Sequence, residues 1–158
     1  MYTQAEFLKD CLELSEILDK HFKYCQENGI HLLEMDSEIK TKLEQKFKYI
    51  YSAELDYKTF TDEVGESIVK LREYIKGYFS ESKRRLECKE IVASNNCSRS
   101  ERKQYELEIN LCTDFTAQFL CFIFGRVEMV LKETNYKNQI QEKSRTRKSI
   151  FDIFKRKK

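Results

Sequence analysis

The spacing of apolar residues along the chain predicts four helices. Residues separated by three, four or seven positions lie on the same face of an α-helix. The first segment has such a face, which comprises Phe7, Cys11, Leu14, Leu18 and Cys25. The same spacing recurs over about 36–53, from 59 to about 79, and from 98 to about 134. We therefore expect four amphipathic helices.

The residues between these segments support an all-α fold. The chain lacks proline and has four glycines, whereas turn-rich β architectures normally need both residues at their turns. Short connections near 29–35, 54–58 and 94–97 favour antiparallel neighbours. Three helices begin with the Ser/Thr-x-x-Glu/Asp pattern of a capping box: Thr3 with Glu6, Thr59 with Asp62, and Ser98 with Glu101. The predicted fold class is therefore all-α, an antiparallel four-helix bundle.

The predicted helices differ in length. At 1.5 Å per residue the second is about 28 Å long, whereas the third and fourth would each exceed about 50 Å if they are continuous. This predicts a long hairpin of helices 3 and 4 whose tip, about 82–106, extends past the shorter helices. The tip has few apolar residues and many charges. The alternative is that the third helix breaks after residue 82 and a local loop follows.

The fourth helix contains the most apolar stretch of the chain. Only apolar residues occur between 119 and 124, so every face is hydrophobic there and needs cover on several sides. The run 119–125 is far shorter than the roughly 20 residues of a membrane span, which indicates a core segment. Either this helix is central in the bundle, or one of its faces forms a dimer interface. The residues expected to point inward are Ile109, Cys112, Phe115, Phe119, Phe122, Ile123, Val127 and Val130.

Charge is distributed unevenly between the helical body and the C-terminal end. Residues 135–158 hold nine Lys or Arg and two acidic residues, a net charge of +7. Residues 1–134 hold 20 basic and 25 acidic residues, a net charge of −5. We therefore divide the chain into a helical domain, 1–134, and a basic, flexible tail, 135–158. An anionic partner is expected to contact the tail.

The tail contains two kinds of candidate binding residues. The candidates for contact with an anionic partner are Lys143, Arg145, Arg147, Lys148, Lys155, Arg156, Lys157 and Lys158. The apolar candidates, on one face of a short helix that Ser149 would cap, are Ile150, Phe151, Ile153 and Phe154. About ten residues do not form a stable helix alone. We expect this segment to fold on an anionic membrane, on nucleic acid, on a partner protein or on the acidic body of its own chain. The alternative is that the segment is a disordered, solubilising extension.

A second basic patch is predicted at the tip of the hairpin. Its members are Lys83, Arg84, Arg85, Arg99, Arg102 and Lys103. Lys and Arg side chains bind nucleic acid by neutralising its phosphates. The tip would therefore extend a nucleic-acid contact made by the tail.

The sequence contains no recognisable catalytic, cofactor-binding or metal-binding motif. Its two histidines do not follow a glutamate by three residues, and its six cysteines form no CxxC pair. Glycine-rich phosphate loops and nucleophile elbows are also missing. Cys25 and His31 could in principle pair as nucleophile and base, but a cysteine on an apolar helical face is usually a core residue. We expect no catalytic residue, cofactor or metal, and free thiols.

These observations favour a non-enzymatic helical interaction protein, a regulator or adaptor that binds another macromolecule. The expected partner is another protein, with a homodimer through the fourth helix as a further option. The alternatives are a nucleic-acid-binding accessory protein that uses the tail and the tip, and a peripheral membrane protein anchored by the tail. Free thiols and a polar N-terminal segment lead us to expect a cytoplasmic or other intracellular location. The basic runs would also suit the nucleus if the source is eukaryotic or viral.

Overall fold

The computed structural model describes residues 1–145 of the chain. Its helices are α1 (Gln4–Asn28), α2 (Ser37–Ser52), a 3-10 turn (Tyr57–Thr59), α3 (Asp62–Ala93) and α4 (Arg99–Glu133). A further helical segment covers 136–145. This part of the chain contains no strand, only an isolated bridge between Tyr2 and Leu55. The prediction of an all-α fold is confirmed.

The ends of α1 follow from local sequence. The Thr3 hydroxyl accepts a hydrogen bond from the Glu6 N–H at 3.2 Å, and the Glu6 carboxylate accepts one from the Thr3 N–H at 2.8 Å. This reciprocal pair satisfies two backbone donors that have no partner within the helix. Gly29 ends α1 in the left-handed conformation, with a φ of 63° that glycine adopts without strain.

The predicted start of α3 is wrong by two residues. Thr61, not Thr59, caps this helix, and its hydroxyl accepts a hydrogen bond from the Val64 N–H at 3.3 Å. Thr59 belongs to the preceding 3-10 turn, where its hydroxyl donates to the Asp56 carbonyl at 2.9 Å. The capping-box pattern selected Thr59 because an acidic residue follows it at the expected distance. In contrast, Ser98 caps α4 as predicted.

The core lies where the four helices meet. α4 packs along α3 and α1, and α2 packs against α1 and α3. Burying each leucine, isoleucine or phenylalanine contributes about 1.5–3 kcal/mol, so these residues are the main source of stability. The fully buried side chains include Phe7, Leu14 and Leu18 of α1, Leu43, Phe47 and Ile50 of α2, Ile68, Leu71 and Ile75 of α3, and Leu120 and Ile123 of α4.

An arginine of α3 fixes the C-terminal end of α2. The Arg72 guanidinium donates from Nε to the Ile50 carbonyl at 2.9 Å and from Nη2 to the Ala53 carbonyl at 2.5 Å. The last carbonyls of a helix have no partner within it, and a cation favours the negative end of the helix dipole. Arg72 therefore stabilises α2 and joins it to α3.

The α3–α4 hairpin is continuous and antiparallel. α3 has 32 residues and α4 has 35, which correspond to about 48 and 52 Å. Tyr74 lies against Phe122, and Arg84 lies against Glu108, so the contacts progress in opposite directions along the two helices. The alternative of a break after residue 82 is wrong, because α3 continues to Ala93. The tip of the hairpin therefore extends beyond the core.

Candidate interaction surface

A line of large apolar side chains on α4 is exposed to solvent. Its members, which we call the α4 stripe, are Leu107, Leu111, Phe115, Phe122 and Met129. Between 37% of the surface (Met129) and 64% (Leu107) of each residue is exposed. The opposite face of α4 is buried against α1 and α3, through Cys112, Thr116, Leu120, Ile123, Val127, Val130 and Leu131. α4 therefore has two apolar faces, of which residues 1–145 cover only one.

Aromatic neighbours hold the centre of the stripe in place. The ring of Phe122 lies 5.5 Å from that of Tyr74 on α3 and 6.1 Å from that of Phe119, in a nearly perpendicular arrangement with the latter. Phe119 is half-buried over Gly77 of α3, where a Cβ atom would lie 2.4 Å from the ring. Gly77 therefore provides the space for the Phe119 ring, and this ring supports Phe122 from the side.

Two of the residues predicted to point inward do not. Phe115 is 45% exposed and Phe122 is 49% exposed, and both belong to the stripe. Phe119 and Ile109 are partly buried, and the other four are buried as expected. The sequence alone could not separate the two faces of α4, because large apolar residues occur on both. The buried face instead includes Thr116, whose hydroxyl is satisfied by the Cys112 carbonyl at 2.6 Å.

The length and composition of α4 are those of a helix that could cross a membrane, and it is the one such helix in the described part of the chain. The apolar run 119–125 is too short to span a membrane, but a longer window of 18 residues within α4 is apolar enough to do so. Only 22% of that window is buried inside the protein. A core helix of a soluble protein can have the same length and composition but is mostly buried, so composition alone does not decide what covers the stripe.

The cations predicted at the tip are partly engaged within the protein. Arg84 donates to both carboxylate oxygens of Glu108, at 2.6 and 3.0 Å. Arg102 lies 3.5 Å from Glu106, and Arg85 donates to the Thr113 hydroxyl at 2.8 Å. The three other members of the patch have no acidic partner among the described residues: Lys83, Arg99 and Lys103. The tip is thus a weaker anion site than its count of arginines suggests.

The structure describes only the first part of the predicted tail. Lys143 and Arg145 are exposed on the helical segment 136–145. The remaining candidates, Arg147, Lys148 and those from Ile150 to Lys158, lie outside the described residues. At the start of the segment Tyr136 packs against the core, and Lys137 lies 3.3 Å from the Glu128 carboxylate. Contacts with the helical body therefore continue past residue 134.

One groove on the surface contains ion pairs. It has a volume of about 730 Å³ and lies between α1 and α2. At its base the buried Asp10 carboxylate accepts hydrogen bonds from the Tyr2 hydroxyl at 2.7 Å and from Lys46 at 2.8 Å. Lys46 also contacts Glu13, and although burial lowers the pKa of Lys46, its hydrogen bonds to Asp10 and Glu13 raise it overall. Burial, and then Asp10, raises the pKa of Tyr2. Both raised pKa values mean that neither the Lys46 amine nor the Tyr2 phenol is suited to proton transfer near neutral pH.

The cysteine considered as a nucleophile is a core residue. The Cys25 thiol is buried, and its Sγ lies 3.4 Å from Nε2 of His21 and 3.6 Å from the carbonyl oxygen of His31. Burial, and then the charge of Glu34, raises its pKa, which favours the unreactive thiol. The ring of His31 instead accepts the Leu33 N–H at 3.1 Å. The pairing of Cys25 with His31 as nucleophile and base is therefore wrong.

Within residues 1–145, no group of three His, Cys, Asp or Glu side chains is placed to hold a metal ion. Comparison of the chain with protein-family models, with curated proteins and with solved structures finds no match. The exposed α4 stripe is therefore the most informative surface for function.

Proposed function

We propose that this chain is a non-enzymatic interaction protein, a regulator or adaptor, that binds another protein through the α4 stripe. In this proposal α1 to α4 form a four-helix bundle that serves as a rigid scaffold. Its fourth helix presents one apolar face to the core and the other to the partner. The observation that supports this most directly is the exposure of five large apolar side chains along one helix.

The size and make-up of the stripe support a binding role. Its exposed surface is on the order of 500 Å², at the upper end of the largest patch found on a typical monomer. Two phenylalanines, Phe115 and Phe122, occupy its middle, and aromatic residues at the centre of a patch contribute most to many interfaces. Phe122 is already oriented by Tyr74 and Phe119, so little side-chain entropy is lost when it is covered.

The polar groups of the groove between α1 and α2 support a non-enzymatic role. A general base needs a pKa near the working pH and access to substrate. Asp10 and Lys46 instead neutralise one another, and the Tyr2 hydroxyl donates a hydrogen bond to the same carboxylate. This network explains the burial of Asp10 as a structural contact between α1 and α2.

The test compares the stripe with an equally exposed control. Tagged full-length protein would carry Phe115→Ser with Phe122→Ser, and the control would carry Tyr24→Ser with Leu86→Ser, which are exposed elsewhere. We expect the control to keep the proteins captured by the wild type and the stripe variant to lose them. Equal capture by both variants would refute the role of the stripe. A form truncated after residue 145 would separate partners of the tail from those of the helical body.

A peripheral membrane protein is the second candidate, and the composition of α4 is the observation that favours it. Apolar side chains on a helix face can insert into the region between headgroups and acyl chains, and nearby cations add affinity for anionic lipid. Flotation of the wild type with anionic vesicles, and loss of flotation in the stripe variant, would favour this candidate over protein binding.

A further inference from the structure

We propose that the partner which covers the α4 stripe is a second copy of this chain, bound antiparallel about a two-fold axis beside Gln118. This inference rests on the proposed function and names the partner of the same surface. The exposed face repeats with alternating steps of four and three residues, through Leu111, Phe115, Gln118, Phe122, Gly125 and Met129. This is the seven-residue repeat by which two helices pack along each other in a coiled coil.

The polar residue in the middle of the seam favours a second copy over lipid. Gln118 is exposed and lies between Phe115 and Phe122 on the same face. In a membrane its amide would lose hydrogen bonds to water, at a cost of several kcal/mol. At a two-fold axis it meets its own copy, and since each amide has both a donor and an acceptor, the pair satisfies itself. Single polar residues in such seams are known to fix register.

The sizes of the side chains favour the antiparallel direction. Leu111 and Gly125 both lie seven residues from Gln118, on opposite sides, so an antiparallel pair brings each leucine onto the partner's glycine. Nothing lies within 4 Å of the position of a Cβ atom on Gly125, so there is space for that leucine. In the same register Leu107 meets Met129. A parallel pair would place Gly125 opposite itself and leave a gap, which costs packing energy.

The area predicts a dimer of moderate strength. Covering both stripes removes on the order of 1,000 Å² from water, which is close to the lower limit for a specific interface. We therefore expect association at micromolar concentration. The protein would sediment as a particle of 19.0 kDa when dilute and of twice that mass when concentrated.

The two-fold axis gives a test based on charge. Gln118→Lys and Gln118→Glu each place like charges against each other at the axis, so we expect each full-length variant to remain at 19.0 kDa at high micromolar concentration. An equimolar mixture brings opposite charges together and is expected to regain the doubled mass. The matched control is Tyr24→Lys and Tyr24→Glu, at an exposed site on α1, which should dimerise like the wild type. Circular dichroism checks that the variants fold.

Cross-linking tests the direction of the two helices. In a background with Cys97→Ser and Cys121→Ser, we expect Leu107→Cys mixed with Met129→Cys to form a disulfide between chains. We expect Leu107→Cys alone, or Met129→Cys alone, to form little disulfide between chains. Efficient cross-linking of each variant with itself would overturn the antiparallel arrangement.

The remaining outcomes distinguish failure of this inference from failure of the proposed function. A wild type that stays at 19.0 kDa, or Gln118 variants that dimerise unmixed, would overturn the second copy as partner. A monomer that floats with anionic vesicles through the stripe would overturn it in favour of lipid. A monomer whose Phe115→Ser/Phe122→Ser form loses a purified partner protein would overturn this inference and leave the proposed function standing.

Discussion

Replacing Gly77 by alanine tests whether the α3–α4 hairpin is built around the ring of Phe119. At an open helical position this substitution stabilises a protein by about 0.5–1 kcal/mol, because glycine has the lower helix propensity. At Gly77 the added Cβ would lie 2.4, 2.5 and 2.7 Å from three ring carbons of Phe119. Carbon atoms in contact prefer 3.5–4.0 Å, so the ring has to move by about 1 Å or more.

The expected cost follows from the two ways in which the ring can move. If it stays between the helices, the crowding costs about 1–3 kcal/mol, as for other overpacked contacts. If it swings outward, it loses much of its present burial, which is worth a similar amount. After the gain in helix propensity is subtracted, Gly77→Ala should lower the free energy of unfolding by about 0–2.5 kcal/mol.

Gly65 is the matched control, since it lies on the same helix and a Cβ there would meet nothing within 4 Å. We expect Gly65→Ala to raise the free energy of unfolding, measured by urea denaturation with far-UV circular dichroism at low concentration. The two substitutions should differ by about 1–3 kcal/mol, which is the overpacking cost alone. In a Phe119→Ala background Gly77→Ala should become stabilising. If Gly77→Ala in the wild type stabilises as much as Gly65→Ala, the account of the hairpin contact is refuted.

Three further predictions concern stability and thiol access. Leu120→Ala should lower the free energy of unfolding by about 2–5 kcal/mol, since the side chain is fully buried. Phe122→Ala should lower it by about 1.5 kcal/mol or less, because half of the side chain is already exposed. Equal losses in urea denaturation would contradict a buried and an exposed apolar face on α4. A thiol reagent should label Cys97 and Cys121 quickly and the other four cysteines only after unfolding, and fast labelling of more than two would show that the core is open. The hydrogen bond from Arg84 lowers the pKa of Glu108, so this pair stabilises the hairpin at neutral pH, and that contribution is lost as the pH falls below the ordinary glutamate value towards the lowered one. Urea denaturation between about pH 6 and pH 3 should therefore show a smaller loss of stability for Glu108→Gln than for the wild type.

The helix ends could be predicted because their causes are local. The capping box at Thr3 depends on residues within one turn of the helix, and it occurs as expected. The stop at Gly29 is equally local. The predicted start of α3 was wrong because two threonines lie close together in the sequence. The pattern could not show that Thr59 belongs to a 3-10 turn. Sequence patterns therefore identify helices well and choose between neighbouring caps poorly.

The faces of α4 could not be predicted because they depend on where the other helices lie. Both Leu120 and Phe122 belong to an uninterrupted apolar run, yet one is buried and the other is half exposed. Thr116 is buried although it is polar, since its hydroxyl bonds to the helix backbone. The positions of α1 and α3 decide which face of α4 is buried. The seven-residue repeat on the exposed face was nevertheless present in the sequence and would have indicated a second seam.

An antiparallel dimer would bring the start of the basic tail of one chain beside the hairpin tip of the other copy. Lys103 near the tip and Glu133 at the end of α4 are separated by 30 residues of helix, or about 45 Å. Both lie fifteen residues from Gln118, so in the proposed register the end of one α4 lies beside the tip of the other copy. Residues 135–158 carry a net charge of +7, and the first of them would lie near Lys103 of the other copy.

This arrangement predicts that binding of an anionic polymer depends on dimerisation. Each phosphate neutralised changes the slope of log affinity against log salt by about −0.9 for duplex DNA, so a composite site should give both a higher affinity and a steeper slope than either region alone. We expect the charge-neutral Phe115→Ser/Phe122→Ser variant to bind a short DNA duplex more weakly than the wild type and with a shallower slope, measured by fluorescence anisotropy at several salt concentrations. The Tyr24→Ser/Leu86→Ser variant should match the wild type. Equal affinity and slope for the stripe variant and the wild type, or no binding by the wild type, would show that the two basic regions do not act as one site.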